Sequence, residues 1–141
     1  MSILLKIREV ESRFQGVEDF EDRFRLLMEM GKELPEMNEQ FKVEKFRIKG
    51  CQSQVWLHPE FKDGEIHFQA DSDALLVKGI IALLVQVYSG QTPDAILEEK
   101  EDFLKNLGIT DHLSMNRSNG LAAMTKQIKM YAIAYKSMQG A

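Results

Sequence analysis

The only thiol of the chain sits in Lys49-Gly50-Cys51-Gln52-Ser53-Gln54-Val55-Trp56-Leu57, directly after a glycine and ahead of a run of amides and a hydroxyl. A lone cysteine has a short chemical repertoire. It cannot close an internal disulfide or furnish a cysteine-rich zinc site. It can act as a thiolate nucleophile, or pack as a small hydrophobe. Core cysteines normally have apolar neighbours, and Gln52, Ser53 and Gln54 are not apolar. Gly50 permits a tight loop, and Lys49 can favour the thiolate. On these features alone a reactive thiol and a structural one both stand.

The other candidate groups say less. His58, His67 and His112 form no His-x-x-x-His pair, and the acidic residues show no paired metal spacing, so satisfied or surface histidines are expected. A Cys51/His112 dyad lacks an orienting third member. The glycines form neither a Walker pattern nor GxGxxG, so no phosphate cradle is expected. The acidic run Glu98-Glu99-Lys100-Glu101-Asp102 reads as a solvated helix face. Arg117 stands immediately before Ser118 and Asn119, either of which can cap a helix. A cation there meets the unfavourable end of the helix dipole, so Arg117 is expected to pair with a carboxylate or thiolate.

The elements that must position these groups follow from pattern. Ile3, Leu4, Ile7, Val10 and Phe14 recur at helical spacing, as do Val17, Phe20, Phe24 and Leu27, with Gly31 and Pro35 as a stop. Asn38 to Phe41 reads as loop. Alternation at Phe46/Ile48, Val55/Leu57 and Ile66/Phe68/Ala70, with the hairpin signal Lys62-Asp63-Gly64-Glu65, predicts an antiparallel sheet of about three strands. Asp71 or Ser72 can cap a helix over Asp73 to Tyr88 that is apolar nearly all round and therefore buried. Thr92-Pro93 opens a helix that Gly108 closes, and a last helix carries Leu121, Met124, Ile128, Tyr131 and Tyr135 on one face. The fold class is α+β, with helices packed on one face of the small sheet.

Composition bounds the whole. A chain of 141 residues that is 44% hydrophobic and 28% charged is expected to form one globular domain, 1–141. With 18 basic and 22 acidic residues its formal charge is -4, which gives no overall footprint for nucleic acid. The N-terminus lacks the apolar centre of a secretory signal. The longest apolar stretch, Gly79 to Tyr88, is far short of the ~20 residues a bilayer demands. No membrane is expected, and a reduced thiol points to the cytoplasm.

Three segments together carry a resemblance. GCQSQVWL at Gly50–Leu57, DSDALLVKGIIALLVQVYSGQTPDAI at Asp71–Ile96 and LSMNRSNGLAAM at Leu113–Met124 resemble the SufE family of sulfur-acceptor proteins. The likeness runs in order across most of the chain. It implies a SufE/IscU-like fold in which Cys51 carries a persulfide taken from a SufS-type cysteine desulfurase. Cys51 would then pass sulfur to a SufBCD-type scaffold complex that builds iron–sulfur clusters. It also implies supporting or partner-binding roles for Gly50, Gln52, Ser53, Asp73, Arg117, Asn119 and Gly120. Pyridoxal phosphate belongs to the desulfurase, and the chain itself needs no cofactor or metal. A homodimer is compatible with the resemblance, and a CsdE-type acceptor serving a different desulfurase is the nearest variant. One cysteine argues against a cluster scaffold, which holds its cluster by about four ligands. The family pattern carries proline after Leu-Ser, where Met115 stands here.

Two rivals lie outside this reading. A one-cysteine thiol peroxidase wants a thioredoxin-like βαβ order that the chain lacks, and a non-catalytic regulator would keep Cys51 structural. A persulfide in a reducing compartment is open to attack by ambient thiols. Cys51 is therefore expected to be shielded at rest by the Val55-Trp56-Leu57 side of its loop, with movement on desulfurase binding giving access.

Overall fold

A computed structural model of the chain describes residues 2–100 and 103–139. The N-terminal helical period becomes α1 (Ile3–Phe14) and α2 (Phe20–Glu33). Ser2 caps α1 by accepting the Leu5 amide and Asp19 caps α2 by accepting the Glu21 amide, each satisfying an N–H that a helix start leaves unpaired. Ile3, Ile7, Val10 and Phe14 of α1 and Leu27 and Met30 of α2 are buried.

Two single turns of 3-10 helix, Glu39–Phe41 and Glu44–Phe46, lead towards a hairpin of β1 (Val55–Lys62) and β2 (Glu65–Ser72). The strands are antiparallel, with Val55 opposite Ser72 and Lys62 opposite Glu65. Asp63 (φ 53°) and Gly64 (φ 80°) are both left-handed, the two-residue turn that Asp-Gly predicts. Val55, Leu57 and Pro59 on β1 and Ile66, Phe68 and Ala70 on β2 are buried, and the residues between them are less so. One face thus meets the helices, and the α+β class stands.

The expected third strand is not formed; the sheet has two. Arg47 makes a single bridge to Trp56, and the Ile48 amide donates to the Val55 carbonyl at 2.8 Å. The 3-10 turn ending at Phe46 and the left-handed Gly50 (φ 93°) leave room for a bridge but not for a strand. Along β2 the chain after the next helix returns, and Ile66 exchanges bonds with Gly90 and Gln91 at 2.7 and 2.9 Å. This return partly covers the β2 edge, which would otherwise offer unpaired backbone groups.

Helix α3 (Leu75–Tyr88) is buried from Gly79 to Val85 without interruption, as its apolar sequence demands. The expected capping differs. Ala74 holds the cap position, and the Ser72 hydroxyl accepts the Ala74 amide at 3.3 Å rather than an amide inside the helix. Asp71 instead binds Lys42 at 2.7 Å and Lys78 at 3.3 Å, tying the first 3-10 turn's exit to β2 and α3. Helices α2 and α3 cross at Gly31 and Gly79, where backbone meets backbone.

The single helix expected from Thr92 to Gly108 is interrupted. Thr92 caps α4 (Pro93–Glu98) with Pro93 first, as its sequence predicts, and α5 (Phe103–Asn106) is a separate turn. Lys129 donates to the carbonyls of Ile96 and Glu99 and so covers the end of α4. Glu101 and Asp102 of the acidic run lie outside the described residues. After a 3-10 turn at Thr110–His112, α6 (Met115–Gln139) buries Leu121, Met124, Ile128 and Ala132. Among the described residues no helix is long and apolar enough to cross a membrane.

Candidate functional site

Cys51 lies on a short loop between the Arg47 bridge and β1, held at both ends. Gly50 makes the turn into it at a φ of 93°, a conformation that a residue with a Cβ rarely adopts. At the far end the Gln54 amide donates to the Asp73 carboxylate at 3.0 Å, and the Asp73 amide donates back to the Gln54 carbonyl at 3.2 Å. The loop is thereby pinned to the β2–α3 junction. Asp73 matters through this reciprocal pair, because its carboxylate reaches loop backbone and not the thiol. Removing the carboxylate in Asp73→Ala loses one hydrogen bond at an exposed site, about 1 kcal/mol. Loop opening should become about fivefold more frequent. Iodoacetamide should then label Cys51 of the variant about fivefold faster than wild type, with the melting temperature lower by only about 3 °C; equal labelling rates would show that the pair does not control the loop.

The thiol points inward. Cys51 is part-buried and packs against the hydrophobic core, and its Sγ donates to the Gly120 carbonyl of α6 at 3.7 Å. A Cβ on Gly120 would lie 3.3 Å from Sγ, so glycine there is what allows the thiol to sit this close to the helix. Around it lies a cavity of about 350 Å³ lined by Gln52, Ser53, Ala74, Leu75, Leu76, Val77, Ile80, Ser114, Asn116, Arg117, Gly120 and Met124. The partial shielding expected from the sequence is present, but its source is different. The cover comes from α3 and α6 and not from Val55, Trp56 and Leu57.

Burial pushes the Cys51 thiol above its ordinary value of 9.0, and the nearby Arg47 charge opposes this without overcoming it. The cation that favours the thiolate is Arg47, where the sequence pointed to Lys49. At neutral pH roughly one thiol in a hundred or fewer is ionised when the pKa is 9 or above. Only the thiolate alkylates, so labelling of the folded protein should climb about tenfold per pH unit between pH 7 and 9. The linked stability effect has a definite sign. The fold favours the neutral thiol, so it binds more protons than the unfolded chain between the unfolded and folded pKa values, and stability falls as pH rises through that window. A labelling rate that levels off below pH 8 would show a thiol activated at rest.

Arg117 lines the cavity but begins from a different place than its sequence implied. Helix α6 starts at Met115, and the Ser114 hydroxyl accepts the Arg117 amide at 3.3 Å. Ser114 is thus the capping side chain, and Ser118 and Asn119 fall inside the helix. A serine three residues ahead of Arg117 was a readable signal for this start. No carboxylate among the described residues pairs with the Arg117 guanidinium, so that half of the expectation fails; the thiol named as the other partner lines the same cavity, with Arg117 an exposed cation on its wall. Of the other expected site residues, Gln52 and Ser53 line the cavity, Gly50 faces Ala123, and Asn119 is exposed without lining it. Arg47 was not foreseen, because its link to Cys51 depends on the bridge to β1.

Elsewhere the chain offers less chemistry. A larger cavity of about 590 Å³ between α3, α5 and α6 contains no thiol or histidine, and its Lys129 is held by the carbonyls ending α4. Among the described residues no three His, Cys, Asp or Glu side chains come together to hold a metal ion.

Comparison with known proteins bears on the fold and the family. A solution structure of a hypothetical protein from Thermus thermophilus superposes with a TM-score of 0.76 at 22% identity, covering 94% of this chain and 96% of that one, which shows the shared fold. A SufE-like protein of Synechocystis is 37% identical over 130 residues, 92% of this chain and 82% of the relative. One from Rhizobium meliloti is 34% identical over 134 residues, 92% of this chain and 96% of the relative. The Arabidopsis thaliana SufE-like protein 1, named as chloroplastic/mitochondrial, is 37% identical over 91% of this chain, which spans 35% of that longer protein. The family model of the SufE domain, described as an Fe-S metabolism associated domain, matches residues 8–132. With a SufE domain over nearly its whole length and such relatives, the chain belongs to the SufE family.

Proposed function

We propose that the protein is a sulfur carrier of iron–sulfur metabolism that takes persulfide sulfur from a cysteine desulfurase onto Cys51. The observation that supports this most is the placement of the sole thiol: on a glycine-hinged loop, pinned at Asp73, with its sulfur turned into a partly apolar cavity. A carrier needs one thiol that is inert between partners and reactive when a partner opens the site. Family membership supports a cysteine desulfurase as the donor; in this reading it is of the SufS type, and its own cysteine holds the outer sulfur.

The step balances as thiol–persulfide exchange. When the loop swings at Gly50, water enters and the Cys51 proton leaves to solvent. The thiolate attacks the outer sulfur of the donor persulfide, a new S–S bond forms to Cys51, and the donor's S–S bond breaks. The donor cysteine departs as a thiolate, and Cys51 carries the persulfide. Delivery to a SufBCD-type complex repeats the exchange with Cys51 as the leaving thiolate. Both exchanges take place in the cytoplasm, where the carrier's thiol stays reduced. The test is intact mass after incubation with free cysteine and a SufS-type desulfurase: a gain of one sulfur, located at Cys51 by peptide mapping, is expected. Faster desulfurase turnover with no mass gain would overturn the carrier role.

Arg117 contributes the exposed cation at the cavity mouth and stabilises the approaching persulfide anion. A charge-assisted contact of this kind is worth about 1.5 kcal/mol, roughly a tenfold effect. Arg117→Ala should lower stimulation of the desulfurase about tenfold and leave the melting temperature nearly unchanged. Unaltered stimulation kinetics would return Arg117 to the status of an ordinary surface residue.

A further inference from the structure

On the other side of the Cys51 loop from its cavity lies a second concave surface, and it is basic. Lys45, Arg47, Lys49 and Lys126 converge on a cavity of about 470 Å³, with Ala123 and Met130 between them. Four of the chain's 18 cations thus meet in one groove of a protein whose formal charge is -4. Glu44 is the one acid lining it, and it reaches Arg47 only at 3.7 Å. Lys49 and Lys126 have no carboxylate within ion-pair distance among the described residues, and Lys45 lies over the Phe46 ring at 5.4 Å. The groove adjoins the site: Lys49 of the groove and Cys51 of the cavity are separated in the chain by Gly50 alone, and a Cβ on Gly50 would stand 3.5 Å from the Ala123 methyl.

Like charges gathered in a concavity repel one another, and the low-dielectric walls focus their field outward. Such a groove is complementary to a short run of carboxylates. A nucleic acid is the poorer fit, because duplex binding commonly engages about 6–10 phosphates along an extended track. Beyond the groove such a track would run over the rest of this acidic chain, which a short segment need not touch. We propose that the groove docks an acidic segment of the protein that donates sulfur to Cys51. The proposal rests on the carrier reading above and adds to it the face by which the donor is captured. Steering of this kind speeds encounter and selects the partner, and it weakens with salt because the screening length is about 8 Å at physiological ionic strength.

The groove can be tested with hexaglutamate as a minimal probe and a SufS-type desulfurase as the full partner. Titration of hexaglutamate into the isotope-labelled protein should shift the backbone amides of residues 45–49 and 123–127. The Lys49→Glu/Lys126→Glu double variant should bind the desulfurase about tenfold more weakly than wild type and lose most of its salt dependence. Both side chains are exposed, so folding should survive; Lys49→Gln/Lys126→Gln serves if it does not, with about half the effect in logarithmic terms. Equal affinity and equal salt dependence in variant and wild type would overturn the proposal. So would a duplex DNA oligonucleotide or a second copy of the chain displacing hexaglutamate. The two readings fail differently. No sulfur on wild-type Cys51, with binding still weakened by charge reversal, sinks the carrier role and keeps the groove. Undiminished sulfur transfer by the double variant with unchanged affinity removes the groove and keeps the carrier.

Discussion

Cys51→Ser is expected to lose sulfur acceptance entirely. Exchange needs a thiolate that can attack a sulfur and later leave it; a serine hydroxyl neither ionises near neutral pH nor forms a stable S–S equivalent. The chain has no second cysteine to substitute, so no partial activity has a chemical source. The fold should tolerate the change. Cys51 is part-buried and bonded weakly to the Gly120 carbonyl at 3.7 Å, and a hydroxyl is the stronger donor to that oxygen. Stability should therefore stay within about 1 kcal/mol of wild type. Intact mass and single-turnover transfer from a loaded desulfurase provide the measurement. A variant that still accelerates desulfurase turnover as well as wild type would leave Cys51 as a structural thiol in a regulator.

The largest effect on stability belongs far from the thiol, at Gly79→Ala. An added methyl would overlap the Leu27 carbonyl oxygen and stand 3.2 Å from the Leu27 Cβ. The first contact is with backbone, so no side-chain rotation can relieve it, and α2 must separate from α3. Two effects compete. Alanine improves helix propensity by about 1 kcal/mol over glycine. Overpacking a close crossing costs about 1–3 kcal/mol where side chains can shift and more where backbone must move. The clash wins, with a net loss of about 3 kcal/mol and a urea midpoint lower by about 1–2 M. Gly16→Ala supplies the contrast. Its φ of 84° also resists a Cβ, but nothing lies within 4 Å, so the loss should be confined to backbone strain of about 1–2 kcal/mol. If Gly79→Ala proves the milder of the two, the tight helix crossing is wrong.

Much of the site was legible in the order of residues along the chain. The position of one cysteine after a glycine, with no other thiol present, limited the chemistry to exchange or packing. GCQSQVWL with its two companion segments pointed to the SufE family, which the family match over residues 8–132 shows. Helices α1 and α2, the Asp-Gly hairpin and the buried α3 followed from periods of 3.6 and 2 and from local turn chemistry, because those signals act within a few residues. Some local readings also missed: Ser114 rather than Ser118 or Asn119 caps α6, Ala74 holds the α3 cap position, and the Thr92–Gly108 helix divides into α4 and α5. The misses that bear on the site depended on neighbours distant in sequence. The third strand shrank to a bridge at Arg47, since the 3-10 turn and Gly50 on either side allow no more pairing. The cover over Cys51 came from α3 and α6, and the absence of a side chain at Gly120 lets the thiol sit close to α6. Arg47 displaced Lys49 as the charge beside the thiol for the same reason, through its pairing with Trp56. Residue type and local spacing determined which atom could react. Only packing between segments some seventy residues apart, Cys51 and Gly120, decided that the atom is held shielded and protonated at rest.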